Sequence, residues 1–262
     1  MIITTIVITL LYSFIIILFM MGFDKVAIFN HHIEVPTTQF SIIIPFRDEE
    51  ENLPELLQSL ERFNYPKDKF EIIFVDDDST DNSIKIINKF SGNIRVLKNR
   101  RISNSPKKDA INIAIKQANF DWIITTDADC TVPKQWLQTF DAFIQNHPSK
   151  LIAAPVKYLA NNSFLEQFQV FDFLSLQAVT VGGFGINKPF LCNGANLCYH
   201  KQAFFEVNGF SGNENIASGD DIFLLEKMSD KYPDEVHFLK STNALVSTKP
   251  QPTFKQLLAQ RI

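Results

Sequence analysis

Four short apolar runs, each ending in polar or acidic residues and separated by segments of helical period, limit the folds open to this chain more than any other feature. Phe40–Phe46, Glu71–Val75, Ile94–Leu97 and Trp122–Thr126 are nearly continuous hydrophobic stretches, as strands are when both faces are covered. Between them, Glu49–Phe63 places Leu53, Leu56, Leu57 and Leu60 on one helical face before Tyr65 and Pro66 end it. Asp81–Phe90 has helical period too, and Pro106–Ala118 gathers Ile111, Ala114 and Ile115 on one side. Strands alternating with helices predict an α/β domain, a mainly parallel sheet flanked by helices. Ligands of such sheets bind beyond the carboxyl ends of the strands, so the residues just after each run are where chemistry is expected.

Ahead of this pattern, residues 1–23 carry no charged side chain, and Ile2–Met21 is built almost wholly of Ile, Leu, Val, Phe, Thr and Met. Roughly 20 such residues cross a bilayer, which predicts an N-terminal transmembrane helix. A cleaved signal peptide fits less well, because no basic segment precedes the run and no small-residue cleavage site follows it. Lys25, then His31 and His32, supply the flanking positive charge, so the domain after the helix is expected on the cytoplasmic side of the membrane. A connector over 24–39 with Pro36 leads into a main domain over 40–249, long enough to bury one substantial core.

The second half is less regular. Gln135–Ile144, Phe164–Ala178 and Asp221–Met228 read as helices, while Leu191–Tyr199, Glu235–Leu239 and Ala244–Ser247 read as extended. After Pro250 and Pro252, Phe254, Leu257, Leu258 and Ile262 share one face of a final segment over 250–262, the expected start of an interfacial helix. The sequence ends inside that pattern with no cap, so a longer chain is expected. The formal net charge of -4, with cations dispersed, gives no basic face for nucleic acid. Cys130, Cys192 and Cys198, an odd number without zinc-like spacing, suit a reducing compartment and are expected as buried apolar residues.

Acidic residues concentrate where the strands end. Asp76, Asp77, Asp78 and Asp81, with Ser79 and Thr80 among them, follow the second run. Capping of the next helix accounts for some of them, and a carboxylate there can also accept hydrogen bonds from a nucleotide base or ribose. Asp127 and Asp129 follow the fourth run, and two carboxylates so close repel each other unless a cation intervenes. Hard oxygen ligands suit Mg2+ or Mn2+. Gly219, Asp220 and Asp221 open another apolar helix, where capping alone is again the plain alternative. Lys107 and Lys108 are placed to approach a phosphate, although one of the pair is expected on a solvated helix face.

From Phe40 to the last residue the chain resembles the large family-2 glycosyltransferases. Ser41–Pro45 followed by Arg47, Asp48, Glu49, Glu50 and Asn52 looks like the family's first strand and turn. Val75–Asp81 is similar to its Val-Asp-Asp-Gly-Ser-Thr-Asp, with Asp78 where the family has glycine. Lys107–Asn112 is similar to Lys-x-x-Ala-Leu-Asn, Asp127 and Asp129 to the metal-binding Asp-x-Asp, Asn208–Phe210 to Gly-Gly-Phe, and Gly219–Asp221 to Gly-Glu-Asp. Cys192–Asn196 looks like the segment near the acceptor sugar. Gln260 and Arg261 resemble the start of the Gln-x-x-Arg-Trp motif of membrane-bound members.

The resemblance implies the GT-A, or nucleotide-diphospho-sugar transferase, fold. It implies an inverting, metal-dependent transfer from a nucleotide sugar, most often a UDP-sugar, to a hydroxyl of a glycan or lipid-linked acceptor, in polysaccharide or glycolipid biosynthesis. Asp221 would be the general base. Pro45, Arg47, Glu49, Asp77, Lys107 and Asp127 would bind the nucleotide, and Asp127 and Asp129 the Mg2+ or Mn2+. Asn193, Gly194, Asp220, Gln260 and Arg261 would lie at the acceptor. The alternative is an inert, membrane-tethered nucleotide-sugar binder, which has no need of the base that Asp221 would supply. A nucleotidyltransferase would need a Gly-rich phosphate loop after Ile44, and the sequence has none.

Overall fold

The computed structural model describes residues 2–30, 35–161, 163–212, 216 and 219–261, with Gln260 and Arg261 described in backbone only. The side chains of those two expected acceptor residues therefore lie outside the described residues, as do His31 and His32.

The chain begins with α1 (Ile2–Lys25) and continues through β1 (Phe40–Phe46), α2 (Leu53–Glu61), β2 (Phe70–Asp76), α3 (Ser83–Ile87), β3 (Ile94–Lys98), α4 (Pro106–Gln117) and β4 (Trp122–Thr125). There follow α5 (Trp136–Asn146), β5 (Leu151–Ala153), β6 (Val156–Tyr158), α6 (Phe164–Gly185), β7 (Leu197–His200), α7 (Lys201–Glu206), α8 (Asp220–Lys231), β8 (Val236–Phe238), β9 (Val246–Thr248) and α9 (Phe254–Arg261). The main sheet has the order β3-β2-β1-β4-β7-β5-β8, and β6 pairs with β9 in a small second sheet. β1 runs parallel to β2 and β4, and β2 to β3, while β7 lies antiparallel between β4 and β5. This is the expected α/β fold with its mainly parallel sheet.

Strand residues alternate between two cores, which is why the runs are hydrophobic throughout. Ile42, Ile44, Ile72, Phe74 and Ile124 meet Leu53, Leu56 and Leu60 of α2 and Trp136 and Phe140 of α5. Ile43, Ile73, Val75 and Ile123 meet Ala110, Ile111 and Ala114 of α4 and Leu224, Leu225 and Met228 of α8. Each such Ile, Leu, Val, Phe or Met side chain, fully buried, contributes about 1.5–3 kcal/mol over its exposed state. Cys130 and Cys198 are buried free thiols in this packing, as expected, whereas Cys192 is only partly covered.

Strand order reverses at β1, since β2 and β3 lie on one side and β4 on the other, and that reversal opens a crevice at the carboxyl ends of β1 and β4. Pro45 keeps it open. Pairing of β1 with β4 stops at Ile43 opposite Thr125, and Thr126 N–H donates to the Ile43 carbonyl as the last rung. Residue 45 faces the same neighbour as residue 43, and proline has no N–H to extend the ladder.

Several boundaries differ from expectation. α1 runs to Lys25, two residues into the expected connector. α2 starts only at Leu53, beside Pro54 in its first turn, and α3 spans five residues. Within the segment expected to be extended, Gly194–Asn196 forms a single 3-10 turn before β7. α6 continues seven residues past Ala178, through Val179-Thr180-Val181-Gly182-Gly183, a stretch whose β-branched and glycine residues disfavour helix. Tertiary contact overrides that preference, because Gly182 and Gly185 pack against the backbone of α1 at Phe19 and Gly22.

Candidate active site

The loop after β1 and the turn after β2 are joined by hydrogen bonds. Asp48 Oδ1 accepts from Thr80 N–H at 2.7 Å, Glu49 N–H donates to Ser83 Oγ at 2.9 Å, and Glu50 N–H donates to Asp81 Oδ2 at 2.9 Å. Asp76 Oδ1 accepts from Ser79 N–H, and Asp81 Oδ1 from Ser83 N–H. Asp76 and Asp81 are therefore used in holding the turn, which leaves Asp77 and Asp78 to look elsewhere. Asp78 takes φ +63°, the left-handed backbone that glycine adopts freely and other residues adopt under strain. Its ion pair with Lys98 is exposed on both sides and adds little. Asp78→Gly should therefore raise unfolding free energy by about 0.5–1 kcal/mol, the relieved strain less the entropy of a freer unfolded chain, read as a higher denaturant midpoint.

Asp77, at the end of β2, is gripped by residues that follow β3. Its Oδ1 accepts from Asn99 Nδ2 and Arg101 Nε, and its Oδ2 from Arg101 Nη2, all at 2.8 Å. Burial pushes the Asp77 carboxyl up, but the Arg101 and Asn99 hydrogen bonds outweigh it and hold the group below the usual carboxylate range. Oδ2, with one donor, still has a lone pair for an incoming N–H. Asp109, buried in α4, accepts from the N–H groups of Ile102 and Ser103 and so fixes the loop that presents Arg101.

Of the pair at 107 and 108, Lys108 is buried, and the Lys107 side chain, 38% exposed, turns to a carboxylate instead of to water alone. Lys107 Nζ donates to Asp127 Oδ1 at 2.6 Å. Desolvation lowers its affinity for a proton, but the fields of Asp127, Asp220 and Asp221 together raise it above the ordinary lysine value, so the ammonium stays charged. Lys108 is buried, donates to the Ile216 carbonyl at 2.8 Å and lies over the Phe223 ring. It thus holds the backbone at Ile216, ahead of α8.

Beyond β4, Asp127 and Asp129 are both half-buried. Burial and the neighbouring Asp127 charge push Asp129 up, with hydrogen bonds from Cys130 and Thr248 pulling the other way. Glu49 is also raised, chiefly by burial and in part by Asp129, Asp127 and Asp81. A crowd of carboxylates held against its own repulsion is the chemistry that a hard divalent cation relieves. Among the described residues no group of three or more His, Cys, Asp or Glu side chains is arranged to hold an ion alone. The donor set fits a cation that takes its other oxygens from a substrate.

Asp221 sits in the first turn of α8, where the helix dipole favours a carboxylate, after Gly219 at φ +75°. Its Oδ2 accepts from Gly194 N–H at 2.8 Å, and its Oδ1 from Ile222 N–H. The first of these contacts reaches outside the helix, so capping does not account for the residue. Thr125 Oγ1, at the end of β4, donates to the Gly194 carbonyl at 2.7 Å, which links the strand end to the same turn. Burial first, then repulsion from Asp220, pushes the Asp221 carboxyl up against the pull of Gly194, Ile222 and Lys107. Asn193 uses its own side chain to accept from Ala195 N–H, which shapes the turn.

The structure therefore brings Asp77, Lys107, Asp127, Asp129, Asn193, Gly194, Asp220 and Asp221 to the carboxyl edge of the sheet, with Pro45 and Glu49 at the crevice. Arg47 is exposed there and pairs loosely with Asp48. Sequence reasoning missed Asn99, Arg101 and the anchoring role of Lys108. The signal is a basic cluster, Lys98-Asn99-Arg100-Arg101, directly after the third apolar run.

The family model described as Glycosyl transferase family 2 matches residues 41–203. Over 121 residues, 45% of this chain, the sequence is 35% identical to the poly(ribitol-phosphate) beta-N-acetylglucosaminyltransferase TarS of Staphylococcus aureus, of which it spans only 21%. The crystal structure of S. aureus TarS 1-349 in complex with UDP-GlcNAc superposes with a TM-score of 0.62 at 21% identity, over 82% of this chain and 60% of that one. The mannosyltransferase PcManGT from Pyrobaculum calidifontis, in complex with GDP-Man and Mn2+, gives a TM-score of 0.69 at 15% identity, over 95% of this chain and 69% of that one. At these identities the two structures speak to fold.

Proposed function

Because the chain belongs to glycosyltransferase family 2, we propose that it moves a sugar, with inversion, from a nucleotide-diphosphate sugar to a hydroxyl of a glycan or lipid-linked acceptor. The observation that carries this reading is the position of Lys107, hydrogen-bonded to Asp127 and raised by Asp220 and Asp221 as well. One cation is therefore hydrogen-bonded to a carboxylate suited to the donor's diphosphate and feels the field of those suited to the acceptor's proton. The donor is a UDP-sugar, in keeping with the UDP-GlcNAc bound by the TarS structure.

In this reading Asp77 accepts an N–H from the base edge while Arg101 and Asn99 hold its carboxylate ionised and aligned. Lys107 neutralises charge on the departing diphosphate, worth most where the site is dry and the charge need not reorganise. Asp127 and Asp129 would hold Mg2+ or Mn2+, which would supply Lewis-acid neutralisation of the same oxygens. Asp221 takes the proton of the attacking hydroxyl as its oxygen bonds to the anomeric carbon and the bond to the nucleoside diphosphate breaks. A single displacement inverts the centre, and a lone base suffices for it. α1 is long and apolar enough to cross a membrane, and we place the catalytic domain on its cytoplasmic side.

Release of nucleoside diphosphate from a panel of nucleotide sugars, with and without manganese, tests the assignment. Metal-stimulated release from a UDP-sugar is expected, and release from none of the panel overturns it. Arg101→Ala should weaken UDP binding about tenfold, some 1.4 kcal/mol of lost alignment, with kcat little changed. Tighter binding in that variant would mean that Arg101 obstructs the base rather than orienting its reader.

A further inference from the structure

The polarity of α6 is reversed for a helix on a water-soluble surface. Phe164, Phe168 and Phe171, at i, i+4 and i+7, share its outer face and are 89%, 51% and 69% exposed. Ser175 and Ala178 continue that face without a charge, flanked by Leu174 on one side and the partly exposed Asp172 on the other. Two of its polar residues, Gln169 and Gln177, point inward. Gln169 is buried and exchanges hydrogen bonds with the backbone of Gln251 through both ends of its amide, at 2.9 Å each. Gln177 Oε1 accepts from Val156 N–H, and Phe173 lies against Tyr158 with ring centroids 4.6 Å apart. These inner contacts fix the rotation of the helix, so the phenylalanines cannot turn inward.

The same helix is joined to α1 by a crossing that only glycines permit. A Cβ on Gly22 would lie 2.2 Å from the Gly182 carbonyl oxygen, one on Gly182 would lie 2.4 Å from that of Phe19, and one on Gly185 would lie 1.8 Å from that of Gly22. Close backbone approach through small residues is how helices pack where hydrocarbon, not water, surrounds them. The paired positions rise together, 19 with 182 and 22 with 185, so the two helices run in the same direction. The amino-terminal half of α6, with its phenylalanines, therefore lies on the side of the crossing toward which the exposed apolar length of α1 extends.

We propose that α6 is a second membrane-contacting element, its Phe164–Phe168–Phe171 face set in the boundary between headgroups and acyl chains of the bilayer that α1 crosses. This rests on reading α1 as a membrane span. The partner is hydrocarbon rather than lipid charge, because the face carries no cation, and contact should not depend on anionic lipid or on salt. Held at both the crossing and this face, the catalytic domain has one orientation to the membrane instead of swinging on a tether.

Tryptophan at single positions of the full chain in phosphatidylcholine vesicles tests the proposal, with the emission of Trp122 and Trp136 subtracted using the parent protein. In Phe171→Trp the added emission should be largely lost when the lipids carry bromine in their acyl chains, and be little affected by aqueous acrylamide, at low and high salt alike. Added emission quenched by acrylamide but not by brominated lipid would place the face in water and overturn the proposal. Quenching by neither would place it against protein, a second copy for example, and overturn it equally. Tyr12→Trp on α1 separates the two readings: lipid quenching there with none at 171 removes the α6 contact and leaves the span, whereas aqueous quenching at both removes the span as well.

Discussion

Asp221→Asn is expected to lower turnover by roughly 100-fold or more while leaving UDP-sugar affinity nearly unchanged, the loss that removal of a general base typically produces. Asparagine keeps the shape and one acceptor oxygen, so one of the contacts to the Gly194 and Ile222 amides survives. Loss of the other contact costs some stability, which removal of the buried charge offsets. Burial and Asp220 raise the folded pKa of Asp221 above its unfolded value. Between those two values the native state binds more protons than the unfolded one, so stability declines as pH rises through the folded pKa. At neutral pH the ionised carboxylate is thus a destabilising element, and the Asn variant should melt at the same temperature as the parent or slightly higher. The same raised pKa sets the acid limb of the rate profile above the usual carboxylate range, and Asp220→Asn should move that limb to lower pH by removing the repulsion. Near-normal turnover in Asp221→Asn would sink the assignment and point to Asp220 as the base.

What could be read from the sequence is what local chemistry decides. The strands β1 to β4 are legible because burial on both faces leaves a continuous apolar run, and the acidic turns because they directly follow such runs. Asp78 shows that a position where the family motif has glycine can carry another residue in left-handed backbone, at φ +63°. Contacts between distant segments were not legible. β7 enters the sheet antiparallel, between strands that precede it in the chain, by pairing that no local pattern announces. The carboxyl-terminal part of α6 contradicts its own helix propensity and exists because glycines there meet α1. Arg101 reaches Asp77 across 24 residues of chain, and Asp221 reaches Gly194 across 27. Resemblance could assign roles to Asp77 and Asp221, but not the partners that set their charge.

Asp127→Asn is expected to abolish metal-dependent nucleotide binding, and the reason lies in what the carboxylates lack. Mg2+ and Mn2+ need about six oxygens, and Asp127 and Asp129 are too few to hold either tightly without help. One of the two is moreover already committed, since Lys107 Nζ lies 2.6 Å from Asp127 Oδ1 and offsets part of its charge. A bare cation would have to compete with that ammonium, whereas a diphosphate brings new oxygens and offers Lys107 a second partner. Calorimetric titration with manganese should therefore show weak binding to the free protein and binding at least tenfold tighter, about 1.4 kcal/mol, once UDP is present. By linkage, manganese should tighten UDP by the same factor, and that reciprocal gain should vanish in Asp127→Asn. Lys107→Met gives the opposite sign for the free protein: with the competing ammonium gone, manganese alone should bind more tightly, while coupling to UDP shrinks. Equal manganese affinity with and without UDP in the parent would show that the carboxylates form a complete site by themselves, and the division of labour between metal and lysine would then have to be abandoned.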